Sequence, residues 1–388
     1  MGTSMGTSRR AWRVLALMSA LALTVAGCGA GSSSTSGSSD KGATDVKIAF
    51  LGPLTGDAAV YGISASQGFE LAVDQVNKAG KIHLSSTEVD TKADPTLAVS
   101  GAQRLIDDGY RIIVGPVLSS ETLPVAPLCV AKKVICFTPG ATHPDITKKG
   151  DYIFRAISTT PKEMQVLMDY AASKGKKRAA VLYDDGAYGS AGAQAVKEKW
   201  PSLGGEVVAY EAYSGGSQDF RAQLGKIKRA NPDIIFIPGY YTELGLAVRQ
   251  ARGLGIDAIF AGPSGIFSPD FVKIAGSSAA EGTLVSTDFF PNVQTSSLVQ
   301  NFIRDIKAKY NVEPDENHAL GYDTVQMIAI ALKTVKDPSD IEAVKNALAG
   351  IKYDGVTGAN QTFQSPYHDI NKELLVLQVS KGSFVSTK

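Results

Sequence analysis

The sequence is poor in the residues that build metal centres and nucleophilic active sites. It has three cysteines and four histidines in 388 residues. The histidines are widely separated and form no His-x-x-x-His pair: His83, His143, His318 and His368. A Gly-x-Ser-x-Gly elbow and a Walker-type Gly-x-x-x-x-Gly-Lys-Ser/Thr loop are both lacking. We therefore predict that the protein is not an enzyme and that it holds neither a metal nor a cofactor.

An excess of charge of one sign is also lacking. The chain has 39 Lys and Arg against 38 Asp and Glu, for a formal net charge of +1. Residues 1–27 carry three arginines and no acid, so the remaining chain has a charge of −2. Without a basic run, no nucleic-acid partner is predicted. After residue 45 no apolar run approaches the roughly 18–20 residues that cross a bilayer.

The first 28 residues have the layout of an export signal. Three arginines precede a short apolar segment over 14–25, which is followed by Ala26-Gly27-Cys28. This ending resembles a bacterial lipoprotein box, in which the cysteine thiol receives a diacylglycerol. We predict a signal peptide over 1–27, lipidation of Cys28 and a flexible Gly/Ser tether over 28–45. The alternative is a secretory signal with an incidental cysteine.

Cys129 and Cys136 are the other two cysteines, and they lie in a predicted helix end and the strand that follows it. An oxidising compartment permits a disulfide between them, provided that the fold brings their Cα atoms within about 7 Å. The alternative is a pair of small buried apolar side chains.

Short apolar runs alternate with amphipathic stretches through residues 45–286. The runs predict strands at 46–52, 112–115, 134–137, 178–183, 234–237, 259–262 and 282–285. Helical spacing predicts helices at 67–78, 97–107, 122–132, 162–174, 191–200, 220–229 and 243–254. This alternation is typical of βαβ units, and it passes through two comparable cycles. The predicted fold class is α/β, with parallel sheets in two similar lobes.

The loops after these strands are rich in glycine, hydroxyl and tyrosine side chains. Ser119-Ser120 precedes a predicted helix, where hydroxyls and free N–H groups form an anion site; an ordinary serine N-cap is the alternative. Thr142 follows Gly140 in a second such loop. Because ligands bind at the carboxyl ends of parallel strands, we expect the two loops to converge on one anion, such as a carboxylate.

From residue 46 to the C-terminus the chain resembles the Leu/Ile/Val-binding protein family, the type I periplasmic binding proteins of ABC importers. The resemblance is carried by Ile48-Ala-Phe-Leu-Gly-Pro-Leu-Thr-Gly, Val114-Gly-Pro-Val-Leu-Ser-Ser-Glu-Thr, Thr138-Pro-Gly-Ala-Thr-His-Pro-Asp, Tyr188-Gly, Gly239-Tyr240, Arg249-Gln-Ala-Arg-Gly-Leu-Gly and Gly321-Tyr-Asp-Thr-Val. It implies two Rossmann-like lobes joined by a three-strand hinge, with crossings near 157, 287 and 374. The lobes would comprise 46–156 plus 287–373, and 157–286 plus 374–388.

The resemblance also implies the ligand-binding residues. A ligand carboxylate would be held by hydroxyl and N–H groups of the first lobe, and tyrosines would line the cleft. The predicted residues are Tyr61, Ser119, Ser120, Gly140, Ala141, Thr142, Tyr188, Tyr240 and Ser264.

One position departs from the family pattern. Where relatives that bind amino acids usually place a carboxylate against the ligand ammonium, this chain has Ser264. Another acid could replace it, with Asp185, Glu243 and Asp288 as candidates, or the ligand could be an ammonium-free acid. A buried ammonium without an anionic partner would cost several kcal/mol.

The predicted function is that of an extracytoplasmic lipoprotein that binds a small carboxylated solute, an amino acid or an ammonium-free organic acid, for an ABC importer. Its expected partners are that solute, an ABC permease with its ATPase subunits, and the membrane through the lipid anchor. We expect a monomer. The alternative function is a sensing module that reports amides or amino acids to a regulator.

Overall fold

The computed structural model describes residues 44–293 and 295–387. The predicted signal peptide, Cys28 and nearly all of the predicted tether lie outside these residues. The strands are β1 Thr44–Gly52, β2 Ile82–Asp90, β3 Ile112–Val114, β4 Ile135–Thr138, β5 Ile153–Arg155, β6 Arg178–Asp184, β7 Glu206–Tyr213, β8 Ile234–Phe236, β9 Ile259–Gly262, β10 Leu284–Thr287, β11 Tyr353–Gly355, β12 Gly358–Gln364, β13 His368–Asn371, β14 Leu375–Ser380 and β15 Ser383–Ser386.

The helices alternate with the strands up to β10 and then follow one another. They are α1 Ala59–Lys78, α2 Pro95–Asp107, α3 Ser119–Lys132, α4 Thr160–Ser173, α5 Ala187–Lys199, α6 Arg221–Ala230, α7 Tyr241–Gly253, α8 Pro269–Ala275, α9 Ser277–Ala280, α10 Ser297–Tyr310, α11 Glu316–Thr334 and α12 Ile341–Ala349. Within the described ranges, no helix is both long and apolar enough to cross a membrane.

The strands form two sheets, one of eight strands and one of seven. Their orders are β11-β12-β13-β5-β4-β3-β1-β2 and β15-β14-β10-β9-β8-β6-β7. Neighbours from β13 to β2 and from β10 to β7 are parallel. The remaining pairs, made by strands near the C-terminus, are antiparallel. The predicted α/β class with two lobes is confirmed, although each sheet is mixed rather than wholly parallel.

Helices cover both faces of each sheet, which explains the continuous apolar runs of the central strands. In the first sheet, α1 packs on α11 and α2 packs on α3. In the second, α4 packs on α5, and α7 packs on α8. Both central strands β3 and β8 are wholly buried.

The chain passes between the two sheets three times, after β5, after β10 and between β13 and β14. Hydrogen bonds tie the first two crossings together, because Ser158 donates from its backbone N and its Oγ to Asp288 at 2.9 Å each. The lobe boundaries given above remain predictions.

Helix α3 and strand β4 are joined by a disulfide between Cys129 and Cys136, whose Cα atoms are 6.2 Å apart. Both residues are buried. The bridge therefore fixes the C-terminal end of α3 to the sheet, while the N-terminal end of the same helix faces the site described next.

Candidate functional site

The strand-end loops and the starts of four helices enclose one cavity. Its lining comes from loops of both sheets and from the first turns of α1, α3, α5 and α11: Tyr61, Val117, Leu118, Ser119, Gly140, Thr142, Ile157, Tyr188, Tyr240, Ser264, Gly265, Glu316 and Asn317. Of the predicted ligand-binding residues, seven line this cavity. Ser120 and Ala141 do not: Ser120 is half-buried, and Ala141 is buried with its N–H donating to Thr138 Oγ1 at 2.9 Å.

Ser119 forms one polar wall of the cavity at the start of α3. The predicted helix start at Thr122 is wrong, because α3 begins at Ser119 with Leu118 as its N-cap. Ser119 Oγ instead accepts the backbone N–H groups of Thr142 and His143, each at 3.2 Å. Among the described residues its own proton has no acceptor, so the hydroxyl is set to donate to a ligand oxygen.

Thr142 lies beside Ser119 and contributes the second hydroxyl. Thr160 Oγ1 donates to Thr142 Oγ1 at 2.6 Å. The Thr142 hydroxyl can therefore donate its own hydrogen bond into the cavity. Gly140 completes this wall, since a Cβ there would lie 2.9 Å from both Val117 Cγ1 and Val117 O. Together with the positive end of α3, these groups form a site for an anion.

A buried arginine holds the loop that carries Gly140 and Thr142. Arg155 has no exposed surface, and its Nη1 donates to His143 O at 2.6 Å. Its Nε donates to Asp369 Oδ1 at 3.0 Å, and Nη2 contacts the same oxygen. The arginine therefore fixes the loop to β13, the strand that precedes the third crossing.

Tyrosines close the cavity around the backbone of Gly265 in the second lobe. Tyr61 Oη donates to Gly265 O at 2.7 Å, and Gly265 N donates to Tyr188 Oη at 2.8 Å. The Tyr240 ring lies 5.7 Å from that of Tyr61 and 5.2 Å from that of Tyr188. Burial raises the pKa of Tyr61 and Tyr188 well above the ordinary value, so both keep their protons. These three aromatics form an amphipathic wall suited to a small organic ligand.

None of the three acids nominated from the sequence lines the cavity. Asp185 is exposed and accepts the Ser214 hydroxyl at 2.6 Å, and Glu243 accepts Gly216 N at 2.9 Å. Asp288 is buried but is used by Ser158. Each of the three acids accepts a hydrogen bond from a nearby group instead of facing the cavity. A position near a strand end does not reveal this in the sequence.

Two glutamates that the sequence reasoning missed are at the site instead. Glu316, the first residue of α11, lines the cavity and is 3% exposed. Glu163 has no exposed surface and accepts the backbone N–H of Ser264 at 3.1 Å. Burial raises the pKa of both, and the nearby Asp288 carboxylate adds to the effect. A carboxyl group thus faces the cavity even though Ser264 does not supply it.

Comparison with known proteins matches the sequence to the family described as "Periplasmic binding protein" over residues 45–383. The chain belongs to this family. A similar protein is the "Leucine-, isoleucine-, valine-, threonine-, and alanine-binding protein" of Pseudomonas aeruginosa, 35% identical over 81% of this chain and 85% of the relative. The Leu/Ile/Val-binding protein of Escherichia coli is 30% identical over 77% and 82%.

Solved structures agree with this assignment. The branched-chain amino acid transporter substrate binding protein LivJ of Streptococcus pneumoniae, in complex with isoleucine, is 30% identical. Its TM-score is 0.81, with 88% of this chain and 98% of that chain covered. The leucine binding protein LivK of Thermotoga maritima is 28% identical, with the same TM-score and coverage. The resemblance to Leu/Ile/Val-binding proteins is thereby confirmed, and the periplasmic binding protein family implies an extracytoplasmic location.

This periplasmic binding protein has a third buried glutamate, close to the site but not in its lining. Glu121, in the first turn of α3, has no exposed surface, and in the described part of the chain neither carboxylate oxygen has a hydrogen-bond partner. Burial, with smaller contributions from Asp90 and Asp94, raises its pKa to about 7. The folded state therefore holds a proton that the unfolded state releases above about pH 4.5.

We predict that Glu121 makes the protein less stable as pH rises from about 4.5 to 7. One pKa unit corresponds to about 1.4 kcal/mol, so the loss amounts to about 3 kcal/mol. Glu121→Gln should remove this pH-dependent loss of stability. The difference in free energy of unfolding, variant minus wild type, should therefore increase by about 3 kcal/mol from pH 4 to pH 8. Urea unfolding at the two pH values measures this difference. Glu373→Gln, at an exposed acid, is the control, and a difference that does not change with pH would contradict the prediction.

Proposed function

We propose that the protein is the extracytoplasmic binding component of an ABC importer and that its ligand is a small aliphatic α-amino acid. One observation carries this proposal: a single cavity has hydroxyl donors at Ser119 and Thr142 and a carboxylate at Glu316. Donors at a helix N-terminus suit the ligand carboxylate, and the glutamate suits its ammonium. A bound ammonium favours the ionised form of Glu316 and lowers its raised pKa, whereas an ammonium-free acid gives this carboxyl group no cationic partner.

Apolar side chains support an aliphatic ligand. Val117, Leu118 and Ile157 line the cavity beside the tyrosines, so an apolar side chain of the ligand can be buried there. The names of the relatives point the same way, since the Pseudomonas protein is named for leucine, isoleucine, valine, threonine and alanine.

The remaining parts of the proposal concern transport. Lipidation of Cys28 would tether the mature chain to the cell membrane, and a permease with its ATPase subunits would take the ligand from the closed form. The protein would act as a monomer and perform no chemistry on its ligand. The cavity favours binding over catalysis because its hydroxyls are not paired with a histidine base.

A thermal-shift series tests the choice of ligand. Leucine, isoleucine and valine should raise the melting temperature, because a ligand at a hundred times its Kd adds about 2.7 kcal/mol to the stability of the folded state. Leucinamide, which lacks the carboxylate, and 4-methyl-2-oxopentanoate, which lacks the ammonium, should each produce a smaller shift. Equal shifts for leucine and its 2-oxo analogue would contradict an amino-acid site, as would no shift with any α-amino acid.

A further inference from the structure

Glu121 shares the first turn of α3 with Ser119, the first hydroxyl of the anion site. It follows Ser119 by two residues, which advances about 3 Å along the helix axis. Glu121 does not line the cavity, but its charge acts on a residue that does. Burial raises the pKa of Tyr240, and the charges of Asp184 and Glu121 add to the rise. Glu121 is therefore placed to act on an anion bound at Ser119 without touching it.

The carboxyl group of Glu121 is buried without a donor. It has no exposed surface, and within residues 44–293 and 295–387 neither of its oxygens has a hydrogen-bond partner. The hydroxyl of Thr91 and the N–H of Leu118 act on it and lower its pKa, but neither reaches hydrogen-bond geometry. Thr91 Oγ1 is itself buried and unpartnered in the same ranges. Because a buried carboxylate without donors is unfavourable, this site favours the neutral acid.

The charges that act on Glu121 are negative. Burial is the main cause of its raised pKa, and Asp90, at the end of β2, and Asp94, the N-cap of α2, add to the effect. Lys92 lies between these acids in the sequence, but it is exposed and forms no hydrogen bond with Glu121. The other titratable or charged groups near this end of α3 are His143, Arg155, Tyr188 and Tyr240. Because Arg155 is paired with Asp369, no cation in the described part of the chain neutralises an ionised Glu121.

A ligand carboxylate at Ser119 and Thr142 brings a second acidic group to this helix start. Resting on the proposed function, we propose that Glu121 must hold its proton for this carboxylate to bind, so that ligand binding is coupled to the uptake of a proton. With Glu121 neutral, the positive end of α3 acts on the ligand anion alone. With Glu121 ionised, two anions share one helix start and repel each other in a buried region, so the affinity falls.

The dependence of affinity on pH follows from the protons bound in the free and the liganded states. In the free protein the pKa of Glu121 is about 7, and a bound carboxylate raises it further. The complex therefore holds more of this proton than the free protein does near neutral pH, and the contribution of Glu121 to binding weakens as pH rises from 6 to 9. For two charges in one helical turn, the resulting increase in Kd is on the order of tenfold.

Calorimetry with leucine at pH 6 and pH 9, on the wild type and on Glu121→Gln, tests the inference. The ratio of the Kd at pH 9 to the Kd at pH 6 should be on the order of tenfold larger in the wild type than in the variant. Other titrating groups, including Glu316 and the ammonium of leucine, are present in both samples, so the comparison isolates Glu121. Asp270→Asn is the matched control, because Asp270 also lies in the first turn of a helix, α8, but is exposed. Its ratio should equal that of the wild type.

A second variant, Glu121→Met, keeps the test decisive if the glutamine variant does not fold. It places an apolar side chain of similar length in the buried space and should show the same reduced ratio. Equal ratios in the wild type and the Glu121 variants, with leucine bound by all of them, would overturn the coupling and leave the proposed function standing. Failure of the wild type to bind any α-amino acid at either pH would overturn the proposed function and this inference together.

Discussion

Replacing Arg155 with methionine should lower the free energy of unfolding by about 3–5 kcal/mol, the usual cost of removing one partner of a buried ion pair. The guanidinium donates to Asp369, to Thr147 Oγ1 at 3.2 Å and to the carbonyl of His143. Methionine fills part of the volume but leaves the carbonyl of His143 without this donor and Asp369 without its cationic partner. Guanidinium-chloride unfolding measures the loss.

Arg221→Met provides the control for the arginine prediction. Arg221 also pairs with an aspartate, Asp219, but its side chain is 74% exposed. An exposed pair contributes about 0.2–1 kcal/mol, so this variant should differ little from the wild type. A similar decrease in the free energy of unfolding for both variants would contradict the prediction, because it would show that burial of Arg155 does not increase its contribution to stability. The Arg155 variant should also bind ligand more weakly, since the loop bearing Thr142 loses its support.

The double variant Ser119→Ala, Thr142→Val should weaken ligand binding on the order of a thousandfold. Each single change removes one hydroxyl that can donate to the ligand carboxylate, and should reduce affinity by about tenfold to a hundredfold. The Ser119 change also leaves the N–H groups of Thr142 and His143 without their acceptor, so it should lower stability as well. Calorimetry with leucine measures affinity, and thermal unfolding separates the two effects.

Ser120→Ala is the control for these hydroxyl variants. Ser120 follows Ser119 in α3 but does not line the cavity, so its loss should leave affinity within about twofold of the wild type. Unchanged affinity in the double variant would show that the Ser119 and Thr142 hydroxyls do not bind the ligand carboxylate. A loss for Ser120→Ala as large as that for Ser119→Ala would show that the helix start, and not the cavity hydroxyl, matters.

The sequence predicted well those features that depend on local pattern. Central strands such as β3 and β8 are short apolar runs between helices, and their loops lie at the carboxyl edge of a parallel sheet. That rule predicts that Ser119 and Thr142 lie close together, and both line the cavity. The antiparallel strand β12 near the C-terminus was not predicted, because the polar segment 358–364 lacks an apolar run.

The acidic side of the cavity could not be predicted from the same rule. Glu316 lies in the first turn of a helix, where acids are common for reasons of the helix dipole alone. Glu163 also lies in the first turn of its helix, α4, and only packing shows that both acids are buried. The start of α3 at Ser119 was missed for a related reason, since its N-cap is Leu118, a residue type that rarely caps a helix. An acid in the first turn of a helix is the signal that the sequence offers for both glutamates.

The most direct test of the central claim is a crystal structure of the protein with leucine bound. We predict that the ligand carboxylate lies within hydrogen-bond distance of Ser119 Oγ and Thr142 Oγ1, near the start of α3. Its ammonium should lie at Glu316, and its side chain should contact Val117, Leu118 or Ile157. A leucine bound in the reverse orientation, or bound elsewhere with the cavity filled by water, would contradict the account.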